Sequence, residues 1–240
     1  MDEYANANLL KKPDGYYLKV TCYIDKDKIG QAKTNGKELG LDFGIKTNIT
    51  TSEGEKIDVS VEESERLKKL QAKLERQVKG SNRRYRTINH IRREYQKLSN
   101  RKQDKVNKLV HKFKQYDTIV MQDEQLSEWH KQKGMSKVVQ HSCMGLLKSR
   151  LKQLENVIVL DKYIPTTKWC PNCHRTNELS LNDRTYHCEC GYEEDRDIHA
   201  AKNMLNIKNL VFKNSSVPVE RRGDVLKHIK RGMFCFAELP

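Results

Sequence analysis

The sequence has no run of about 18 apolar residues, the length that a membrane-spanning helix requires, and no signal-peptide pattern at Met1. It also has no amphipathic stripe rich in Trp and Phe, which a helix lying on a membrane surface would need. These absences argue against a membrane protein and predict a cytosolic chain. Thiols stay reduced in the cytosol, so the seven cysteines favour metal binding or burial over disulfides.

Acidic residues are outnumbered, because 32 Asp and Glu stand against 46 Lys and Arg, a net charge of +14. Such a surplus does not help a monomer to fold, but it favours a polyanionic partner, since neutralised phosphates release their counterions. The composition therefore points to nucleic acid, although a basic enzyme without such a partner is an alternative. A chain of 240 residues is long enough for one substantial core, or for one core and a small satellite module.

The first sixty residues contain three segments with strand patterns. Polar and apolar residues alternate from Gly15 to Ile24, which predicts a half-buried strand. A more apolar strand follows from Glu38 to Ile45, and a third lies between Ile49 and Val59, next to the turn Ser52-Glu53-Gly54. Because the three strands follow one another closely, we expect an antiparallel meander.

The next segment predicts a long helical hairpin at about residues 62–115. Leucines three and four residues apart indicate an amphipathic helix from Glu62 to Val78, Gly80-Ser81-Asn82 breaks it, and a second apolar stripe runs from Tyr85 to Phe113. Basic residues lie around and just beyond the tip: Lys79, Arg83, Arg84, Arg86, Arg92 and Arg93. They fit a solvated helix face or a phosphate-binding surface, and the sequence leaves the choice open.

A strand, a helix and a second strand follow: Thr118 to Glu124, Lys137 to Glu155, and Val157 to Leu160. This spacing predicts a crossover connection, so the two strands should lie parallel in one sheet. Asp197 to Ile207 predicts another helix, and the weakly patterned tail from Lys208 is expected to be partly disordered.

Four cysteines are spaced as two close pairs, Cys170-Pro-Asn-Cys173 and Cys188-Glu-Cys190. Two such pairs joined by a short hairpin are typical of a tetrahedral zinc site, and four protein ligands make that site structural. A redox-active pair is the alternative. The neighbouring histidines, His174 and His187, are surplus to a filled site. The isolated cysteines are expected to be small buried side chains: Cys22, Cys143 and Cys235.

Three separated acids are candidate ligands of a second metal site. Asp42 lies within an apolar, glycine-containing strand, where an unpaired carboxylate is costly unless it faces a metal or an open cleft. Glu124 ends another apolar strand, and Asp197 opens a helix directly after the cysteines. Brought to one sheet edge, they could hold two divalent cations for phosphodiester cleavage.

Taken together, these motifs resemble the RuvC-like nuclease half of the TnpB family, transposon-encoded proteins related to the type V CRISPR effectors. The resemblance spans roughly Gly15 to Ile207. It is carried by the segment Leu39 to Lys46, the basic hairpin, the strand ending at Glu124, Gln140-His141-Ser142, the paired cysteines, and Asp195-Arg-Asp197 with the helix through Asn203.

The resemblance implies an α/β, RNase H-like (RuvC-like) mixed sheet with a long basic helical hairpin and an inserted zinc ribbon. It implies that Asp42, Glu124 and Asp197 bind catalytic Mg²⁺ or Mn²⁺, that Cys170, Cys173, Cys188 and Cys190 bind structural Zn²⁺, and that DNA and guide RNA are partners. The implied parts are a remnant of an N-terminal recognition module (1–24), the nuclease domain (25–165), the zinc ribbon (166–194), the last RuvC-like helix (195–207) and the tail (208–240). A cytoplasmic, nucleoid-associated enzyme is expected.

Three features depart from the family pattern. His199 stands where Asn is usual, which is expected to alter the surroundings of Asp197. Asp123 is an alternative to Glu124 as the ligand, because side chains alternate along a strand and only one of the two can face the metals. The N-terminal recognition module is largely missing, which suggests truncation. The chain is therefore predicted to be a TnpB-like endonuclease, or alternatively a catalytically silent nucleic-acid-binding protein or a transposon accessory protein.

Overall fold

The computed structural model describes residues 3–25, 34–129, 135–180 and 183–214. They form two compact units: described residues up to 25 and from 61 to 107 belong to the first, and those from 34 to 60 and from 108 onward to the second. No helix within these residues is long and apolar enough to cross a membrane. The units are defined by packing alone, so the functional domain boundaries given above stay predictions.

The first unit contains an antiparallel β-hairpin formed by β1 (Glu3–Lys12) and β2 (Gly15–Tyr23). The strand predicted from Gly15 to Ile24 is present, but it is neither half-buried nor part of the meander. β2 pairs with β1 in a separate sheet, and the paired side chains of Leu9 and Leu18 are 70% and 67% exposed. Alternation marks two faces of a strand, but it does not guarantee that a second layer covers one of them.

The first unit also contains the predicted helical hairpin, in which α1 (Glu65–Glu75) is followed by α2 (Asn82–Phe113), whose last turns lie in the second unit. The Ser64 hydroxyl caps α1 by accepting a hydrogen bond from the backbone N–H of Leu67 at 3.2 Å. The Arg84 guanidinium donates to the carbonyl of Leu74 at 2.6 Å and so closes the other end of α1. Arg84, at least, therefore holds the hairpin together rather than facing solvent freely.

The second unit is built on a five-stranded mixed sheet in the order β5-β4-β3-β6-β7. Its strands are β3 (Glu38–Phe43), β4 (Ile49–Thr51), β5 (Lys56–Ile57), β6 (Thr118–Gln122) and β7 (Val157–Leu160). The predicted parallel pairing of β6 with β7 is confirmed, and β3 is parallel to β6. The antiparallel meander exists, but it consists of β3, β4 and β5, because the turn at Ser52-Glu53-Gly54 divides the predicted third strand in two.

Within the described residues, four helices accompany this sheet: α3 (Leu126–Trp129), α4 (Ser136–His141), α5 (Met144–Leu151) and α6 (Arg196–Asn214). The single helix predicted from Lys137 to Glu155 is wrong. Ser142 is extended and bridges to Ser60, and the N–H of Cys143 donates to the carbonyl of Val59 at 2.9 Å. This tertiary backbone pairing competes with the helix and breaks it.

Helix α6 runs to Asn214, seven residues beyond the predicted end at Ile207, and the rest of the tail, for which partial disorder is expected, lies outside the described residues. Lys208 is buried and its ammonium pairs with Glu38. The apolar face of α6 joins a core formed by the sheet and by the segment that follows β7: Val120, Ile158, Leu160, Ile164, Trp169, Met204 and Ile207. This packing fixes α6 against the sheet.

Candidate metal centres

The four clustered cysteines come together around one point. Their Sγ atoms lie within 4.8 Å of one another, with 3.6 Å between Cys170 and Cys190 and 3.4 Å between Cys173 and Cys188. Tetrahedral zinc with Zn–S bonds of about 2.3 Å requires S···S distances of about 3.8 Å. Both predicted pairs contribute to one cluster, as a shared metal site needs and a two-cysteine redox pair does not. The cluster is therefore suited to Zn²⁺.

The surroundings of these thiols also suit a metal. Burial raises the pKa of Cys170 to about 12, whereas a hydrogen bond from the backbone N–H of Cys190 lowers the pKa of Cys188 to about 6. A thiol that is difficult to ionise alone loses its proton when a cation binds, so zinc would convert this cluster into a set of thiolates. His174 and His187 are not members of the cluster, in agreement with their predicted surplus role. Cys143 is buried as predicted, Cys22 is half-buried, and Cys235 lies outside the described residues.

The ribbon is anchored to α6 on two sides. Its second strand, β9 (Glu193–Asp195), pairs with β8 (Thr185–His187) and leads directly into the helix, and Asp195 Oδ1 accepts hydrogen bonds from the N–H groups of Asp197 and Ile198. The fully buried His199 ring stacks on Tyr186 of β8 with 3.9 Å between centroids. Its Nε2 lies 3.0 Å from Nδ2 of Asn203. His199 thus joins the ribbon to the helix, so any effect that it has on Asp197 would be indirect.

Asp42 and Glu124 stand near the same edge of the sheet. Asp42 lies at the carboxyl end of β3, half-buried, opposite Thr50 of β4. Glu124 follows β6, which is parallel to β3. Carboxyl ends of neighbouring parallel strands meet at one sheet edge, and here each strand delivers one acid to that edge.

The structure separates the surroundings of Asp123 and Glu124. The Glu124 side chain is 19% exposed and its Oε2 accepts a hydrogen bond from Lys148 Nζ at 2.8 Å. The Asp123 side chain is 51% exposed and pairs with Lys152 at 2.6 Å. Their different exposures agree with the alternation expected along an extended chain, and Glu124 is the more buried of the two.

Asp197 lies in the first turn of α6, and its approach to β3 depends on Gly40. A Cβ atom at Gly40 would lie 2.0 Å from the backbone carbonyl oxygen of Ala201, one turn after Asp197. The helix therefore packs directly against the strand that carries Asp42, at a distance only glycine allows. Asp197 also has a basic neighbour, because Nε of Arg196 lies 3.6 Å from its Oδ1.

Glu124 and Asp197 are both close enough to Asp42 to act on it electrostatically. The pKa of Asp42 is raised well above its usual value, first by burial and then by the negative charges of Glu124 and Asp197. Arg196 and Lys148 act in the opposite direction without reversing the shift. Burial also raises the pKa of Glu124, against the opposing effect of Lys148. Such mutual repulsion between carboxylates is relieved when a divalent cation binds, and their hard oxygen donors suit Mg²⁺ or Mn²⁺.

Sequence reasoning missed two residues of this site, Gly40 as the contact for α6 and Lys148 as the partner of Glu124. Lys148 left a signal, because it lies four residues after Met144 and three before Leu151 on the buried side of α5. A lysine within an apolar helix stripe needs a buried partner. Gly40 left a weaker signal, a glycine inside a buried strand.

Two family models match parts of this chain. The family model OrfB_IS605, described as "Probable transposase", matches residues 21–128, and the model "Cas12f1-like, TNB domain" matches residues 146–204. The first range contains Asp42 and Glu124, and the second contains the four clustered cysteines and Asp197.

A Streptomyces pristinaespiralis protein named "Putative RNA-guided DNA endonuclease" is 28% identical to this chain over 200 residues. The match covers 79% of this chain and 49% of that protein, so the chain spans about half the length of this relative.

Proposed function

We propose that this chain, which belongs to the TnpB family, is a DNA endonuclease that holds divalent metal with Asp42, Glu124 and Asp197. The proposal is supported by three acids from separate segments, because burial and the negative charges of Glu124 and Asp197 together raise the pKa of Asp42, which lies at the carboxyl end of β3. A surface charge is a poor explanation of Asp42, because this residue is partly buried and two like charges act on it.

The mixed sheet supports an RNase H-like, RuvC-like assignment for the domain at 25–165, with the hairpin at about 62–115. The zinc ribbon at 166–194 and the last RuvC-like segment at 195–207 complete the proposed arrangement, with 1–24 as the remnant of a recognition module. Support comes from the sheet, in which β3, β6 and β7 are parallel and antiparallel β4 and β5 extend it beyond β3. Asp42 on β3 and Glu124 after β6 would then share one edge with Asp197 of α6. Cysteines 170, 173, 188 and 190 would hold structural Zn²⁺.

Asp42, Glu124 and Asp197 would bind Mg²⁺ or Mn²⁺ through carboxylate oxygens. When bound, the metal ions would activate a water molecule and stabilise the oxygen that leaves the phosphodiester. The chain itself would contribute the position of the acids: parallel β3 and β6 would hold two of them, and the close contact between Gly40 and Ala201 would hold the helix that carries the third. Lys148 and Arg196 partly offset the negative charge of the three acids.

DNA and a guide RNA are the proposed partners, and the basic α2 is the proposed surface for a nucleic-acid backbone. This helix carries eleven Lys or Arg and two acidic residues, a balance that favours phosphate contacts. By family resemblance the protein would act in the cytoplasm, in association with the nucleoid.

Isosteric amide variants test the proposal. Asp42→Asn, Glu124→Gln and Asp197→Asn should each reduce Mg²⁺-dependent cleavage of DNA by more than about a hundredfold, because even an outer-shell change at a metal site costs 10–100-fold. Asp123→Asn, the matched neighbour, should keep most activity. Equal cleavage by wild type and Asp42→Asn would mean that the activity comes from another site or a contaminant.

A catalytically silent nucleic-acid-binding protein is the second candidate, favoured by the charge of α2. Both candidates predict DNA or RNA binding that weakens as salt rises. They differ in cleavage: retention of nucleic acid without any metal-dependent cutting, with and without guide RNA, would favour the silent protein.

A further inference from the structure

A buried lysine contacts Glu124 at two points. Lys148, in the last turn of α5, is 5% exposed, and its Nζ lies 2.8 Å from Glu124 Oε2 and 2.8 Å from the backbone carbonyl oxygen of the same residue. The ammonium also lies 5.4 Å from the centroid of the Phe43 ring. One cation thus touches both ends of Glu124 and the residue that follows Asp42.

We propose that Lys148 is a positioning residue that holds the Glu124 carboxylate in one conformation at the sheet edge that carries Asp42, an inference that rests on the nuclease function proposed above. Lys148 binds one carboxylate oxygen of Glu124, Oε2, and so restricts the side chain. The other oxygen remains available to a cation. Lys148 itself touches neither metal nor DNA in this role.

The double contact explains why a lysine suits the position. A glutamate side chain rotates about three bonds, so it can reach a metal in many ways unless one conformation is fixed. An ammonium that bonds both the carboxylate and the carbonyl of the same residue closes a ring and restricts those rotations. A buried cation is tolerated because it is paired and hydrogen-bonded, and losing one partner leaves the other charge uncompensated.

The chain offers a matched control four residues later. Lys152 pairs with Asp123 at 2.6 Å, but the two side chains are 42% and 51% exposed. Lys148→Met and Lys152→Met remove the same charge from neighbouring turns and differ in whether Glu124 loses its partner. An exposed ion pair of this kind contributes little to the stability of the fold.

The first measurement is the stability of the protein with zinc retained and without other divalent ions. Lys148→Met should lower the melting temperature, Lys152→Met should leave it nearly unchanged, and the double variant Lys148→Met with Glu124→Gln should be more stable than either single variant. This pattern shows that the two residues act through each other. Independent, additive effects of Lys148→Met and Glu124→Gln would overturn the inference.

The second measurement is Mn²⁺ affinity by titration calorimetry, because a positioning role and a purely electrostatic role predict changes of opposite direction. If Lys148 acted only as a positive charge, removing it would strengthen Mn²⁺ binding to the acids. A positioning role predicts the reverse: Lys148→Met should weaken binding by about 10- to 100-fold, the usual cost of losing an outer-shell partner. Lys152→Met should not weaken it.

Unchanged or tighter Mn²⁺ binding by Lys148→Met overturns the positioning role. That failure is distinguishable from failure of the proposed nuclease. If wild type binds Mn²⁺ and Asp42→Asn does not, the metal site stands and only the role of Lys148 is lost. If wild type and Asp42→Asn behave alike, the proposed site is wrong and Lys148 has no metal ligand to position.

Discussion

Replacing Gly40 with alanine should separate helix α6 from the sheet and so test the link between packing and the metal site. The added Cβ would lie 2.0 Å from the carbonyl oxygen of Ala201, whereas real Cβ contacts are essentially never below 3.0 Å. The helix or the strand must therefore move by about 1 Å or more. The obstacle is a backbone atom, so no side-chain rotation can relieve it.

The expected cost of Gly40→Ala is about 3 kcal/mol, at the upper end for overpacking because both partners are backbone. For a chain of this size that corresponds to a fall in melting temperature of roughly 6–12 °C for the unit concerned. The same movement displaces Asp197 relative to Asp42, and displacement on this scale is expected to reduce Mn²⁺ affinity as well.

Gly145→Ala is the matched control, because a Cβ at that helical position meets no atom within 4 Å. It should leave Mn²⁺ binding unchanged and raise stability by up to about 1 kcal/mol, since alanine is the better helix former. Scanning calorimetry of the two variants, followed by Mn²⁺ titration, gives both readouts. If Gly40→Ala melted at the wild-type temperature and bound Mn²⁺ normally, the close contact between β3 and α6 would not be what positions Asp197.

Two further predictions concern the ribbon and its junction with α6. Cys188→Ser should abolish stoichiometric zinc, measured by atomic absorption, whereas Cys22→Ser, outside the cluster, should retain it. Burial lowers the pKa of His199 to about 4, below its ordinary value of about 6.5. Between these two values the unfolded chain binds a proton at His199 that the folded chain does not bind. The contribution of His199 to stability is therefore constant above pH 6.5 and falls as the pH drops from 6.5 towards 4, by up to about 3 kcal/mol. His199→Asn should make denaturant-measured stability less dependent on pH over this range, and an unchanged dependence would contradict the assignment.

Much of the second unit could be predicted because its signals are local. Val157 to Leu160 is a short apolar run, and it forms β7 with those bounds. The parallel pairing of β6 with β7 follows from a crossover of sufficient length. Cysteine spacing likewise defines the cluster without knowledge of the fold.

What the sequence could not give depends on contacts between distant segments. The break at Ser142 arises from backbone pairing with residues 59 and 60, and no local signal marks it. The different surroundings of Asp123 and Glu124 depend on which lysine each acid meets, and the sequence does not show that Glu124 pairs with Lys148 whereas Asp123 pairs with Lys152. The exposure of the β1–β2 hairpin could not be predicted either, because alternation does not reveal whether a second layer covers the strand.

The ribbon and the acidic site are mechanically connected, because α6 begins where the ribbon ends. Asp195, the last residue of β9, caps the helix whose first turn carries Asp197. The stack of His199 on Tyr186 then fixes the rotation of α6 against the ribbon, and the contact at Gly40 fixes its distance from β3. Because the N-terminus of α6, its rotation about its own axis and its distance from β3 are all constrained, the Asp197 side chain in its first turn has little freedom to move. Zinc bound by the cysteines would thus affect the proposed chemistry indirectly, by holding the start of α6 in place. This is a reason for a structural metal site to lie directly before the third acid in the sequence.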